Sequence, residues 1–235
     1  MKNVLITGAS HGIGAECARL FVKNGYTVYI NYNQSEAEAL ALENELGCVA
    51  IKADVSNASE VEAMANSINE YGGIDVLINN AGISEQKMLQ DITEADWDKM
   101  FAINAKGPFL VTKACLPCML RKKQGKIINI SSVWGVEGGS CEVHYSASKA
   151  AVIGFTKALS KELGPSGICV NCIAPGIIDT KMNNHLSVDE KQAFCEGTAL
   201  GRMGTPLDIA KTALFLASDG ADYITGQIIG VNGGI

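Results

Sequence analysis

The chain has 235 residues, of which 47% are hydrophobic and 19% charged, with a formal net charge of −6. This composition belongs to a globular domain rather than a disordered segment, and its acidic balance argues against nucleic-acid binding or attachment to an anionic membrane, which need basic fields. No apolar run reaches the roughly 18 residues that a membrane span needs. Met1-Lys2 leads straight into a strand pattern with no signal segment, so a cytoplasmic location is expected.

In chain order, the apolar run 3–7 reads as a strand, the Gly-rich stretch 8–14 as a turn, and an amphipathic pattern to about Asn24 as a helix. A second buried strand follows at 26–31, which completes a βαβ unit. Helical patterns then fall at 35–46, 58–71, 95–122, 145–163 and 206–217, with apolar strand runs between them at 49–52, 75–79, 126–130, 168–173 and 227–231. Continuously apolar strands alternating with helices imply an α/β fold, a doubly wound parallel sheet covered on both faces. No linker or repeat interrupts the alternation, so residues 1–235 read as a single domain, with the polar, helix-like stretch 181–200 as a segment that covers a site.

The only basic cluster, Arg121-Lys122-Lys123, lies at the end of a helix pattern. There, cations complement the helix dipole; a docking patch is the alternative reading. Two CxxC pairs, Cys115/Cys118 and Cys169/Cys172, are about 50 residues apart, against roughly 15–20 in common zinc sites. Cys169 and Cys172 fall on a strand and point to opposite faces. Buried, reduced cysteines and no metal are expected.

Thr7-Gly8-Ala9-Ser10-His11-Gly12-Ile13-Gly14 joins the first strand to the first helix. Glycines in such a turn let the backbone approach a pyrophosphate, and the helix N-terminus supplies free N–H groups. The spacing is GxxxGxG, and alone it is also ordinary turn chemistry. Tyr145 and Lys149 are four residues apart on one helical face. A phenol can donate the proton that carbonyl reduction requires, and a nearby ammonium favours the phenolate and lowers its pKa.

Four further stretches bear on these two motifs: Asn79-Asn80-Ala81-Gly82 after the fourth strand, Asn104-Ala105-Lys106-Gly107, Tyr145-Ser146-Ala147-Ser148-Lys149, and Pro175-Gly176 after the sixth strand. With the Gly-rich turn, the chain resembles the short-chain dehydrogenase/reductase family from residue 3 to Gly234. The resemblance implies a Rossmann-type seven-stranded sheet in the order 3-2-1-4-5-6-7 and hydride transfer between a nicotinamide cofactor and a carbonyl or alcohol. It makes Tyr145 the acid/base, Lys149 its partner and the holder of the nicotinamide ribose, and Ser132, 13 residues before Tyr145, the serine that bonds the substrate oxygen, with Ser131 a possible confusion. Asn104 resembles the residue that holds a water linking Lys149 to solvent.

For the cofactor, the resemblance points to Gly8, Ser10, His11, Gly12, Ile13 and Gly14 at the pyrophosphate, and to Asp54 and Val55 at the adenine. Asn80, Ala81 and Gly82 would stand beside the ribose, with Pro175, Gly176, Ile178 and Thr180 near the carboxamide. Taken alone, Asp54 is also an ordinary turn residue. At the end of the second strand stands Asn31-Tyr32-Asn33-Gln34-Ser35, with no carboxylate to bind a 2′-hydroxyl and repel a 2′-phosphate. NADP(H) is therefore expected over NAD(H), although His11 and Gln34 stand where NADP-dependent relatives often carry arginine.

Among the family's branches, the stretches IINISSVWG, LGRMGTP and TGQIIGVNGG are similar to those of bacterial 3-oxoacyl-acyl-carrier-protein reductases. A 3-oxoacyl thioester is the first expected substrate, with an acyl carrier protein as candidate partner. Ser166 stands where such reductases often place a basic residue for an acidic carrier, and Lys122 and Lys123 would supply the other half of that patch. A hydroxysteroid, sugar or other small-alcohol dehydrogenase is the alternative. A cofactor-binding sensor without turnover would predict a lost Tyr or Lys. The substrate-facing turn 138–144 carries Glu142 and His144, more polar than a fatty chain requires; plain solvent exposure is the alternative reading. The resemblance also implies a homotetramer, with helices 95–122 and 145–163 and the last strand at its interfaces.

Overall fold

A computed structural model describes residues 1–183 and 186–235. The strands are β1 (Asn3–Ile6), β2 (Thr27–Tyr32), β3 (Val49–Lys52), β4 (Val76–Asn79), β5 (Gly125–Ile130), β6 (Ile168–Pro175) and β7 (Ile228–Val231). Among the described residues they form one parallel sheet in the order β3-β2-β1-β4-β5-β6-β7. The helices are α1 (Gly12–Lys23), α2 (Glu36–Leu46), α3 (Ala58–Asn69), α4 (Glu94–Phe101), α5 (Gly107–Lys122), α6 (Val133–Val136), α7 (Val143–Leu163), α8 (Val188–Gly197) and α9 (Pro206–Ala217).

The two-residue alternation of the strands divides their side chains between two cores. Val4 and Ile6 of β1 join Ile128 of β5 in one core, under Phe21 of α1, Leu42 of α2 and Leu216 of α9. Leu5 and Ile127 face the other way, against Met64 and Ile68 of α3, Val111 and Met119 of α5, and Leu163 of α7. Both faces of the sheet are thus covered, which is why its strands read as continuous apolar runs.

β1 pairs with β2 on one side and β4 on the other. Successive connections run in opposite directions from this point, and the loops leaving the two strands separate into a crevice. One side chain ties its walls together. The Thr7 hydroxyl, 2% exposed, accepts from the backbone N–H groups of Asn80 and Ala81, both at 3.0 Å. The Asn80 amide returns the contact, donating to the Thr7 and Gly8 carbonyls at 2.9 and 3.0 Å.

The helix pattern at 95–122 resolves into α4 and α5, joined by a π-helical turn over Ala102–Lys106. The physical cause is Pro108, which has no N–H to donate to the carbonyl of Asn104, four residues back, and whose ring crowds that carbonyl in a regular helix. The wider turn removes the conflict. Arg121 and Lys122 lie in the last turn of α5, Lys123 caps it in the left-handed region at φ 49°, and Lys122 pairs with Asp75 at 2.7 Å. Of the stretch 181–200, Lys181–Asn183 forms a short 3-10 turn and Val188–Gly197 is α8; residues 184–185 of the expected covering segment lie outside the described residues. Among the described residues, no helix is long and apolar enough to cross a membrane.

The Thr7 clamp yields a test. Thr7→Val keeps the shape but removes the acceptor, leaving two N–H groups without their partner. It is expected to lower stability by about 1–3 kcal/mol, read as a reduced urea midpoint at unchanged m-value.

Candidate functional site

At the carboxyl ends of β1, β2 and β4 lies a cavity walled by Gly8, Ser10, His11, Gly12 and Ile13 of the Gly-rich turn, Asn31, Asp54 and Val55, and Asn80, Ala81 and Gly82. A second cavity opens at the ends of β5 and β6, lined by Ser132, Tyr145, Lys149, Pro175, Gly176 and Ile178. Ile13, Asn80, Gly82, Thr180 and Met182 line both, so the two are one continuous crevice. Gly14 and Asn104 line neither cavity. Gly14 sits behind the turn, where a Cβ would fall 2.6 Å from the Asn80 amide nitrogen, and Asn104 is buried at 1% exposure.

The Gly-rich turn is shaped by its own backbone. Gly8 has φ 61°, and a Cβ there would lie 2.7 Å from the Ala81 Cα, so no other residue fits. The first turn of α1 follows, with His11 extended at its N-cap and its ring 2.9 Å from the Ser10 hydroxyl. Asn31 reaches the cavity edge, but its amide is spent on the backbone: it donates to the Ala53 carbonyl at 2.9 Å and accepts from the Gly8 N–H at 3.3 Å. Asp54 accepts from both the N–H and the hydroxyl of Ser56, at 2.8 and 2.7 Å, and these bonds hold its carboxyl below the usual range. The sequence reading gave no place to Lys181, whose ammonium lies 3.5 Å from the Glu38 carboxylate beside His11.

The second cavity is organised by α7. Tyr145 and Lys149 lie one turn apart on it, 8% and 5% exposed, with the Lys149 ammonium 5.8 Å from the Tyr145 ring centre. Lys149 Nζ donates to the Ile130 carbonyl at the end of β5, at 3.0 Å. The neighbouring serines have separate tasks. Ser131 donates its hydroxyl proton to the Lys149 carbonyl at 2.8 Å and so fixes the helix to the strand end. Ser132 caps α6, accepting from the Trp134 N–H at 3.2 Å, and lines the same cavity as Tyr145, whose pKa its hydroxyl lowers.

Behind Lys149, the Asn104 amide accepts from the Ile83 N–H and donates to the Ile83 carbonyl, both at 2.9 Å, and donates to the Ser148 hydroxyl at 3.0 Å. Gly82 fits between them: a Cβ there would lie 3.2 Å from Asn104 Oδ1 and 3.3 Å from Lys149 Nζ. The π turn therefore supplies the position from which Asn104 closes the floor of the crevice.

Burial governs the electrostatics. It pushes the Tyr145 hydroxyl up to about 12, opposed by the Ser132 hydrogen bond and reinforced by the Glu142 carboxylate. Burial also drives the Lys149 ammonium down to about 8. Burial is the largest cause at Tyr145, and the Ser132 hydroxyl is what opposes it.

Glu142 is 8% exposed and His144 fully buried, against the solvent exposure expected of polar turn residues. The segment before α7 folds back on the loop after β4, with the Lys87 N–H donating to the Cys141 carbonyl at 2.7 Å, and covers both side chains. Neither ring nitrogen of His144 has a hydrogen-bond partner, and its Nε2 lies 3.7 Å from the Glu85 carboxylate. The cysteines are all unpaired; Cys115, Cys118 and Cys172 are buried, and Cys169 is half-buried beside Lys126.

The family model described as "Enoyl-(Acyl carrier protein) reductase" matches residues 8–235. Among curated relatives, the protein named 3-oxoacyl-[acyl-carrier-protein] reductase FabG of Chlamydia trachomatis is 43% identical over 240 residues, covering 100% of this chain and 97% of the relative. The proteins of the same name from Staphylococcus aureus and Staphylococcus epidermidis are also 43% identical, covering 100% of this chain and 98% of each relative. With the family match spanning the Gly-rich turn, the crevice and the Tyr145–Lys149 pair, the chain belongs to the short-chain dehydrogenase/reductase family.

Proposed function

We propose that this protein is an NADPH-dependent 3-oxoacyl-thioester reductase acting on acyl groups carried by an acyl carrier protein. The observation that carries the chemistry is buried Tyr145, beside Ser132 in one cavity and one helical turn from Lys149, in the same crevice as the Gly-rich turn. The thioester substrate rests on the relatives named for it, which match along the whole chain.

The crevice fits a dinucleotide. Gly8 brings the backbone close, the first turn of α1 offers N–H groups to a pyrophosphate, and Asp54 and Val55 flank the adenine end. The 2′-position of the ribose would meet His11 and Gln34, with no carboxylate at the end of β2 and the nearby Glu38 paired with Lys181. This supports NADPH over NADH. When bound, the nicotinamide supplies the hydride.

The chain's own residues do the rest. Ser132 holds the substrate oxygen in place and stabilises the charge that develops on it. Tyr145 is a neutral phenol at ordinary pH, the form that gives a proton to an incipient alkoxide, which is a far stronger base than a phenolate. Once that proton has left, the Lys149 ammonium stabilises the phenolate until it is reprotonated. Asn104, bonded to Ile83 and Ser148, keeps the floor beneath Lys149 rigid and is the group we assign to proton resupply.

Eight unpaired cysteines suit a reducing compartment, in keeping with a cytoplasmic enzyme. A homotetramer is supported by the outer faces of two helices. Phe109 and Leu120 of α5 are 45% and 40% exposed, and Ala151, Gly154 and Ala158 of α7 are exposed and small enough for close helix approach. Light scattering of the purified chain at micromolar concentration should give four subunits; a monomer would overturn this assignment.

Three kinetic outcomes are expected. Tyr145→Phe should lower kcat for reduction of a short 3-oxoacyl thioester by about 10²–10⁴-fold, while NADPH still binds by fluorescence; near-normal turnover would remove Tyr145 from its role. The reduction rate should fall as pH rises through about 8, where Lys149 loses its charge while Tyr145 stays protonated; a rate that is flat from pH 7 to 10 would contradict the part given to Lys149. NADPH should exceed NADH in kcat/KM by about tenfold or more, the worth of a charge-assisted hydrogen bond. The double variant His11→Ala/Lys181→Ala should narrow that ratio.

A further inference from the structure

On the face of the sheet covered by α3, α5 and α7, the core changes character towards the carboxyl ends of the strands. Leu77 and Ile127 are followed, two residues on, by Asn79 and Asn129. Both are buried, at 3% and 0% exposure, and so are the threonines that face them, Thr112 of α5 and Thr156 of α7. Asn79 and Asn129 are register partners in the sheet. The Asn79 amide donates to the side-chain oxygen of Asn129 at 2.8 Å and to the Thr112 hydroxyl at 3.0 Å. The Asn129 amide donates to the Thr156 hydroxyl at 2.9 Å, and Thr156 donates to the Val152 carbonyl at 2.8 Å. One chain of hydrogen bonds thus runs from α5 through two strands to α7.

Stability alone does not account for it. Asn79 Oδ1 has no hydrogen-bond partner, and a buried polar network that is only partly satisfied is less stable than apolar groups of the same shape. What directed bonds add is a unique position. Apolar side chains let a helix turn or slide slightly against a sheet with little change in contact, whereas a hydrogen bond fixes both distance and direction. Helix α7 is held by two such bonds. One is at Thr156, and the other lies seven residues, about two turns, earlier, where Ser131 donates to the Lys149 carbonyl at 2.8 Å. Cys172, the register partner of Asn129 on β6, is fully buried and acts electrostatically on the Lys149 ammonium, so the network adjoins the site from behind.

We propose that Asn129 and Thr156 are positioning residues for the reaction: their hydrogen bond sets the rotation and register of α7 on β5, and so holds Tyr145 and Lys149 where proton and hydride transfer require them. The proposal rests on the roles given above to Tyr145 and Lys149. Neither Asn129 nor Thr156 lines the substrate or the cofactor cavity, so both act through the helix. A misplacement of about 1 Å can cost on the order of 10²-fold in rate. A helix fixed in this way serves turnover even where the bond adds nothing to stability.

The test measures reduction of a short 3-oxoacyl thioester with NADPH by the full chain, alongside NADPH binding by fluorescence and the urea midpoint. Thr156→Val keeps the shape but removes the acceptor; kcat should fall by about 10- to 100-fold, while KM for the thioester and for NADPH should change by less than about twofold. Thr156→Ser, which keeps the hydroxyl, should restore most of kcat. Asn129→Leu/Thr156→Val replaces both partners by apolar groups and leaves Asn79 its bond to Thr112. Its urea midpoint should match or exceed that of Thr156→Val, and its kcat should stay low. A kcat that Thr156→Val leaves within about twofold of wild type, or one that recovers together with the urea midpoint in the double variant, would overturn the proposal and leave the reductase reading intact. Near-normal turnover of Tyr145→Phe would instead remove the roles on which it rests. A wild type that reduces another ketone but no thioester overturns the substrate reading alone, and the same variants are then compared on that ketone.

Discussion

A parallel sheet covered on both faces leaves open only the edge at which its strands end. Backbone groups that finish a strand there are not paired within the ladder, and the loops that carry them must turn outward together. In this protein the edge is divided where β1 meets β4, and the loops that form the crevice hang from it, while α7 brings Tyr145 and Lys149 to it. The Gly-rich turn continues β1, Asn80 to Gly82 continue β4, Ser131 and Ser132 continue β5, and Gly176 continues β6. The positions of these groups follow from the register of the sheet, and short local bonds such as the Thr7 clamp then join neighbouring loops.

The same covering determines the electrostatics. Helix α7 lies against the sheet along its length, and the face that packs inward carries Tyr145 and Lys149. Exclusion of water penalises whichever form of each group is charged, so it moves the phenol and the ammonium in opposite directions. The result is a neutral acid beside a cation that is retained only in part.

Much of this was legible in the sequence, because it depends on local pattern. The helix at Pro206–Ala217 and the strand at Val49–Lys52 fall where their periodicity puts them, and the order of strands follows from the family resemblance. The failures have a common origin in long-range contact. Spacing could say that Tyr145 and Lys149 share a helical face, but not how deeply both are buried. It favoured Ser132 over Ser131 but could not say what Ser131 does, since only the fold shows that its hydroxyl is spent on the Lys149 carbonyl. Glu142 and His144 looked solvated because nothing near them in the chain announces the loop after β4 that covers them. Asn31 and Thr7 serve the backbone through partners in other strands. One miss was avoidable: Pro108, well inside the helix pattern at 95–122, was a local signal for the irregular turn at Asn104.

That turn makes chain length, rather than composition, the guarded quantity here. Each residue of an α-helix advances the chain by about 100° around its axis. Removing one residue between Ala102 and Lys106 would let the turn relax to ordinary α geometry with the flanking helices nearly in phase, but the widened turn that carries Asn104 would be lost. Asn104 would lose the position from which it bonds Ile83 and Ser148. Surface helices commonly accept insertions and deletions at their ends. Across this junction, the lineage of such a protein is expected to vary its residues freely on the outer side while holding the count fixed.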